Sequence, residues 1–244
     1  MFRNYFKTAW RSIKASKAFS AINILGLSAG MAVALLIGLW VQYEFSYDRF
    51  LPGYEDLYQI KISFTVEGKT HTQEAISLPV SDVLRKEIPG VRDVAESDWM
   101  GSHNLVAGDK KLYQAGAEIG SDFLTMFRYP LLKGKAEEVL KDPYSIVLTE
   151  STATALFGKE DPMGKMVKLD NFHDMKVTGI LQDLPRNSSL SFNYLVPFQY
   201  KEITEGWMKD ARTTWTNNSF QIFVPTGNVH SSMSDVSIFC PGGR

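Results

Sequence analysis

The chain has 244 residues, with 26 Lys and Arg against 27 Asp and Glu, so its formal net charge is −1. The first 17 residues carry five basic side chains and no acidic one, which leaves −6 on the remainder. An acidic body of this kind argues against nucleic acid as a partner. The single cysteine, Cys240, excludes an intramolecular disulfide, and about 180 residues beyond the N-terminal region suffice for a hydrophobic core, in one domain or two small lobes.

Phe2, Phe6, Trp10 and Ile13 recur at helical spacing between Arg3, Lys7, Arg11 and Lys14. The pattern predicts a basic amphipathic helix over residues 1–17, lying on the inner face of a membrane. From Ala18 to Tyr43 there is no charged residue. A bilayer core about 30 Å thick needs roughly 20 apolar residues in helix, so residues 18–43 are read as a transmembrane helix. A cleaved signal peptide has a shorter apolar run ending in small residues. Here the run ends at Trp40, Gln42 and Tyr43, which suit an interfacial anchor. Basic residues stay on the cytoplasmic side, so the N-terminus is expected inside and residues 44–224 outside. Gly26, Ala29, Gly30, Ala34 and Gly38 fall at three- and four-residue spacings that let another helix approach closely.

Beyond the span, Tyr58, Ile60, Ile62, Phe64 and Val66 alternate with polar residues, predicting one half-buried strand from Tyr58 to Val66. Glu67-Gly68 closes it, and a second strand returns through His71 to Ile76. Pro79 suits the first turn of a helix to about Glu87, with Val80, Val83 and Leu84 inward. Pro89-Gly90 ends that helix. A strand from Val91 to Trp99 and a hairpin at Gly108-Asp109 follow. Ser121 is read as the cap of a short helix carrying Phe123, Leu124 and Phe127. Ser145–Leu148 reads as a strand, Thr149 as a cap, and Gly158 as the end of the next helix. Met166–Leu169, Met175–Leu181, Leu190–Val196 and Phe220–Val224 read as further strands. Mixed in this order, they predict an α+β extracytoplasmic domain on a single N-terminal helix.

No constellation for catalysis stands out. HExxH and CxxC motifs are absent from the sequence, and His71, His103, His173 and His230 are scattered without metal-ligand spacing. Gly158–Met166, GKEDPMGKM, departs from a phosphate-binding loop. Five residues separate its glycines, Pro162 lies among them, and Met166 stands where a magnesium-binding hydroxyl is needed. Asp161-Pro162 and Gly164 read instead as turn residues. The Asn187 and Asn217 sequons read as ordinary loops, and Trp99, Trp207 and Trp215 as packing residues. No catalytic, cofactor-binding or metal-binding residue is assigned, and no cofactor is expected.

Several blocks together carry a family likeness: MFRNYFKTAWRSIKASKAFSAINILGLSAGMAVALLI, YEFSYDRFLPGYEDLYQI, DFLTMFRYPLLKG, LKDPYSIVLTESTATALFGKEDPMGK and VTGILQDLPRNSSLSFNYLVPF. In order and spacing, over roughly residues 1–224, the chain resembles the N-terminal part of MacB-like/FtsX-like ABC transporter permeases. The resemblance implies a non-enzymatic permease subunit in the bacterial inner membrane, driven by a separate cytoplasmic ABC ATPase. It implies a second permease copy or half as partner, and a periplasmic adaptor or outer-membrane component. Such permeases have at least four spans. The single span here, and the unmatched tail at 225–244, therefore mark the chain as an N-terminal piece. A membrane-anchored binding or sensor domain without transport activity is the competing reading.

Overall fold

A computed structural model describes residues 2–88, 90–91 and 93–225. The tail expected at 225–244, with His230 and Cys240, lies outside the described residues apart from Pro225. The chain divides into two compact units, Met1–Tyr47 and Asp48–Arg244.

In the first unit, α1 (Phe2–Ala15) and α2 (Lys17–Glu44) are separated by Ser16, whose φ of −116° and ψ of 60° interrupt the helix. Phe6, Trp10 and Ile13 of α1 are exposed, and the Lys14 ammonium lies 5.4 Å from the Trp10 ring centre. Helix α2 has 28 residues and none is buried. At 1.5 Å per residue it runs about 42 Å, long and apolar enough to cross a bilayer. A β-carbon added at Gly26, Gly30 or Gly38 would meet nothing within 4 Å.

The second unit mixes strands and helices as the sequence predicts. Its first elements are β1 (Leu57–Gln59), β2 (Ile62–Val66), β3 (Lys69–Gln73), α3 (Pro79–Glu87) and β4 (Ala95–Ser97). Next come β5 (Gly101–Ala107), β6 (Lys110–Ile119), α4 (Phe123–Phe127), β7 (Leu131–Lys133), β8 (Ser145–Thr149) and α5 (Glu150–Phe157). The unit continues through β9 (Met166–Leu169), β10 (His173–Leu181), β11 (Tyr194–Pro197), α6 (Phe198–Thr204), α7 (Met208–Ala211) and β12 (Gln221–Pro225).

Ten strands hydrogen-bond in the order β1-β12-β4-β6-β11-β8-β10-β9-β5, with β7 attached to β10. Strand β5 also pairs with β6 along its whole length, from Gly101↔Gly116 to Ala107↔Lys110. The path therefore returns to β6, and six strands close a barrel with no free edge between them. Its interior is read directly from a two-residue period. Val167 and Leu169, Met175 and Val177, Ile146 and Leu148, Tyr194 and Val196 all join one buried cluster with Leu105. Ala153 and Leu156 of α5 pack into that cluster. The opposite faces, through Ala117, Val147 and Leu195, bury against Phe123, Leu124 and Phe127 of α4. Beyond β6 the sheet continues open through β4, β12 and β1. There α3 covers β12 with Val80 and Leu84, while Val83 is only half-buried.

Several sequence expectations need correction. The predicted strand Tyr58–Val66 is two strands, because the chain changes partner: β1 pairs with β12, while β2 pairs with β3 in a separate hairpin. Of its expected inward face only Ile62 is buried; Tyr58, Phe64 and Val66 are exposed. Among the described residues, strand in Val91–Trp99 is confined to β4, and in Leu190–Val196 to β11. All four residues of β11 are buried because it lies between β6 and β8, which removes the alternation a half-buried strand would show. Ser121 does not cap α4; the N-cap is Asp122. Thr149 does stand at the N-cap of α5, but its hydroxyl bonds Thr152 at 3.0 Å, and the Asp183 carboxylate accepts from the Ser151 amide at 3.0 Å instead.

Candidate functional site

The charged side chains of the second unit converge where α3, β4, α4, α6 and α7 meet. Glu96 sits at the centre of three-residue β4, all of it buried. Its carboxylate receives both ends of the Arg85 guanidinium, at 2.8 and 3.1 Å, and Arg212 Nη1 at 3.3 Å. Arg85 lies in the last turn of α3, and its Nη2 also donates to Val94 O at 2.5 Å. Asp122 is 3.7 Å from Arg85. Arg212, just after α7, donates to Glu202 of α6 at 2.6 and 2.7 Å. Gly120, just after β6, closes the site. Its amide donates to Glu96 O at 2.7 Å, and a β-carbon there would come within 2.7 Å of Glu96 Oε2.

Burial alone would push the Glu96 carboxyl up. The Arg85 hydrogen bonds and charge, with Arg212 behind them, outweigh that and hold it below the usual carboxylate range. These groups line a cleft of about 510 Å³, together with Glu137, Lys141 and Phe198. A bidentate guanidinium–carboxylate pair fixes geometry as well as energy. The cluster thus ties five elements together through one buried carboxylate.

A second charged cluster lies nearby in sequence. Lys201 of α6 is held by Asp98 at 2.6 Å and Glu205 at 2.9 Å, with its ammonium 5.9 Å from the Trp207 ring centre. Glu118 on β6 faces the same charges. Burial pushes its carboxyl up, aided by Asp98 and opposed by Lys201 and His103. A carboxyl with a raised folded value stabilises the fold below its unfolded value, about 4.5, and loses that contribution as pH rises through the folded value. Glu118→Gln is therefore expected to melt above the unmodified domain at pH 8. The gap should close below about pH 4 in a thermal melt series.

None of these groups forms a nucleophile and base pair. His103 Nδ1 and Asp170 Oδ2 are 2.5 Å apart, but Asp170 also takes the Asn104 amide at 2.9 Å, so the pair pins β5 to the β9–β10 turn. Among the described residues no group of three or more His, Cys, Asp or Glu is placed to hold a metal. The Gly158–Met166 segment is a turn: Asp161 accepts from the Met163 amide at 3.1 Å and from Lys133 at 2.9 Å, while Lys165 pairs with Glu160. Trp99 donates to Ser219 O at 2.9 Å, and Trp207 stacks on Phe220. Sequence reasoning missed Arg85, Glu96 and Arg212, which lie 11 and 116 residues apart and share no motif.

The family model of the MacB-like periplasmic core domain matches residues 20–231. The chain belongs to that family. Three solved structures share the fold. A domain assigned to a permease from Porphyromonas gingivalis is 22% identical with a TM-score of 0.62, over 75% of this chain and 81% of that one. The periplasmic region of MacB from Actinobacillus actinomycetemcomitans is 20% identical with a TM-score of 0.53, over 75% and 79%. The extracellular domain of the noncanonic ABC-type transporter YknZ from Gram-positive bacteria is 17% identical with a TM-score of 0.52, over 72% and 88%. No curated protein matches the sequence. The resemblance to MacB-like permeases thus holds, and the match begins inside the apolar helix of spanning length and runs on through the strands and helices that follow it.

Proposed function

We propose that the chain is the N-terminal part of an ABC transporter permease of the bacterial inner membrane. In this reading α1 lies on the cytoplasmic face, α2 crosses, and the core domain is periplasmic. ATP hydrolysis by a separate cytoplasmic ATPase moves the membrane helices and, through them, the core domain, for export or mechanical signalling. The chain itself carries no catalysis. A second permease copy or half completes the assembly, and a periplasmic adaptor or outer-membrane component engages the domain. The carrying observation is the family match, which begins at residue 20 inside α2 and runs through the core domain. The uncovered glycines of α2 suit close approach of further membrane helices.

The test is purification of the tagged, full-length gene product from its own host in mild detergent. An ATP-hydrolysing subunit is expected to co-purify, and Gly30→Leu on α2 to reduce its yield by disturbing helix packing. A product that reaches the membrane alone, with no associated ATPase, sinks the transporter reading and favours a tethered binding domain. Orientation is checked in a Cys240→Ser background. A membrane-impermeant maleimide should label Glu67→Cys in cells with a permeabilised outer membrane, and should leave Lys7→Cys unlabelled until lysis. The opposite labelling pattern reverses the topology.

A further inference from the structure

Helix α1 is at odds with itself in water. Its 14 residues hold Arg3, Lys7, Arg11 and Lys14 and no acidic residue. The first acidic residue of the chain is Glu44. Arg3, Lys7 and Arg11 follow one another at i,i+4, and Lys14 stands three residues beyond Arg11. Like charges at these spacings meet on the helix surface and destabilise it. At 3.6 residues per turn the four cations fall within an arc of about 80°. The first turn, where the helix dipole favours an anion, has none. All four side chains are exposed, and among the described residues none has an ion-pair partner.

Exposed apolar side chains lie directly beside this stripe. Phe6, Trp10 and Ile13 are 74%, 54% and 41% exposed. They occupy the adjoining arc of about 60°. Phe6, Lys7, Trp10 and Arg11 line a shallow groove where the two arcs meet, and the Lys14 ammonium stands over the Trp10 ring. Asn4, Thr8 and Ser12 fall on the opposite side.

Position decides what neutralises the stripe. Ser16 alone separates α1 from α2, so every cation lies within about 21 Å of the start of the spanning helix. An acidic protein surface would meet the charges but not the apolar arc beside them. A leaflet of anionic phospholipid meets both, with phosphates at headgroup level and acyl chains below. Each Lys or Arg beside such a leaflet favours its binding roughly fivefold.

We propose that α1 is a recognition element for anionic phospholipid. Phe6, Trp10 and Ile13 enter the acyl boundary, and Arg3, Lys7, Arg11 and Lys14 bind the headgroup phosphates. The helix is then seated by the lipid composition of the leaflet. The inference rests on α2 as a membrane span and on nothing else in the transporter reading.

The full 244-residue chain is reconstituted in nanodiscs, in a Cys240→Ser background, with a nitrobenzoxadiazole label on Ala9→Cys. Ala9 lies four residues before Ile13, on the apolar side of α1. The discs contain phosphatidylcholine alone, or phosphatidylcholine and phosphatidylglycerol at three to one. The anionic discs are expected to shift the label emission to the blue and to shield it from acrylamide. Lys7→Gln, Arg11→Gln and Lys14→Gln together should lower the bound-to-free ratio of α1 on those discs roughly 100-fold, three cations at about fivefold each. Glutamine keeps helix propensity, so that loss is one of charge. Lys7→Arg with Lys14→Arg should retain the parent's response. Raising salt from about 0.1 M to about 0.5 M should weaken it in the parent and leave the triple variant unchanged. Equal shielding on neutral and anionic discs overturns the proposal, since apolar insertion alone would then seat the helix. An exposed label on both overturns it too, and leaves the stripe for an acidic protein surface. So does a triple variant that keeps the response to phosphatidylglycerol. The discs contain no ATPase, so each of these failures leaves the transporter reading standing.

Discussion

Glu96→Ala is expected to lower the stability of the core domain by about 3 kcal/mol, read as a fall in the urea midpoint at unchanged slope. Removing one member of a buried ion pair strands its partners and costs about 3–5 kcal/mol. The Glu96 side chain is 4% exposed, whereas Arg85 and Arg212 keep 30% and 34% of theirs exposed. Both arginines can regain water on one side, which places the loss at the lower end of that range. Arg85→Leu combined with Glu96→Leu should recover much of the deficit, because an apolar pair leaves no stranded charge. The pH dependence follows from the direction of the shift. Glu96 titrates below its ordinary value near 4.5, so its contribution is fully present above that value. It is lost as pH falls through the lower, folded value. The stability difference between the parent and Glu96→Gln should stay level from pH 7 to pH 5 and shrink below about pH 4.5. A difference that is flat down to pH 3 would show that the carboxylate is not held ionised by the arginines.

The parts of this fold that local chemistry dictates were legible in the sequence. Helix α3 runs from Pro79 to Glu87 as predicted, because proline at the first turn and an apolar stripe act within nine residues. The hairpin at Gly108 and the helix stop at Gly158 follow from glycines at φ of 57° and 67°. Strand β9 shows the clean exposed–buried alternation of a half-buried strand. What escaped was set by distant partners. Leu190 to Val196 alternates like an exposed-face strand, yet β11 is central and fully buried, a fact fixed by β6 and β8 rather than by its own residues. The break between β1 and β2 likewise depends on β12, more than 150 residues away. Closure of the barrel rests on β5 pairing with both β6 and β9, which no single segment encodes. The Glu96 cluster was invisible for the same reason. Its Arg85 and Arg212 read as ordinary surface charges until the fold brings them to one carboxylate.

Gly116→Ala is expected to destabilise the domain by about 3 kcal/mol, the upper end of ordinary overpacking. Gly116 on β6 stands directly beside Tyr194 on parallel β11. A β-carbon at Gly116 would lie 2.4 Å from two carbons of the Tyr194 ring. The ring cannot yield, because Tyr194 is 2% exposed and packed in the barrel cluster. Glycine inside a strand here marks a close approach, and what approaches is a phenol ring lying across the neighbouring backbone. The strain is therefore steric and belongs to one pair, which a double-mutant cycle can isolate. Tyr194→Leu alone should cost stability by leaving the space beside Gly116 unfilled. Gly116→Ala with Tyr194→Leu should lose clearly less than the two single losses added, with a favourable coupling of about 1–2 kcal/mol. Additive losses would mean that the Ala methyl is absorbed elsewhere, by backbone movement along β6. The outcome decides whether the barrel and its open extension move as one body, as the proposed transmission of motion through the domain requires. Strand β6 belongs to both the closed barrel and the open β4-β12-β1 extension. If the Gly116–Tyr194 contact is rigid, displacement of the extension carries the barrel with it. A β6 that bends to admit a methyl group would uncouple the two.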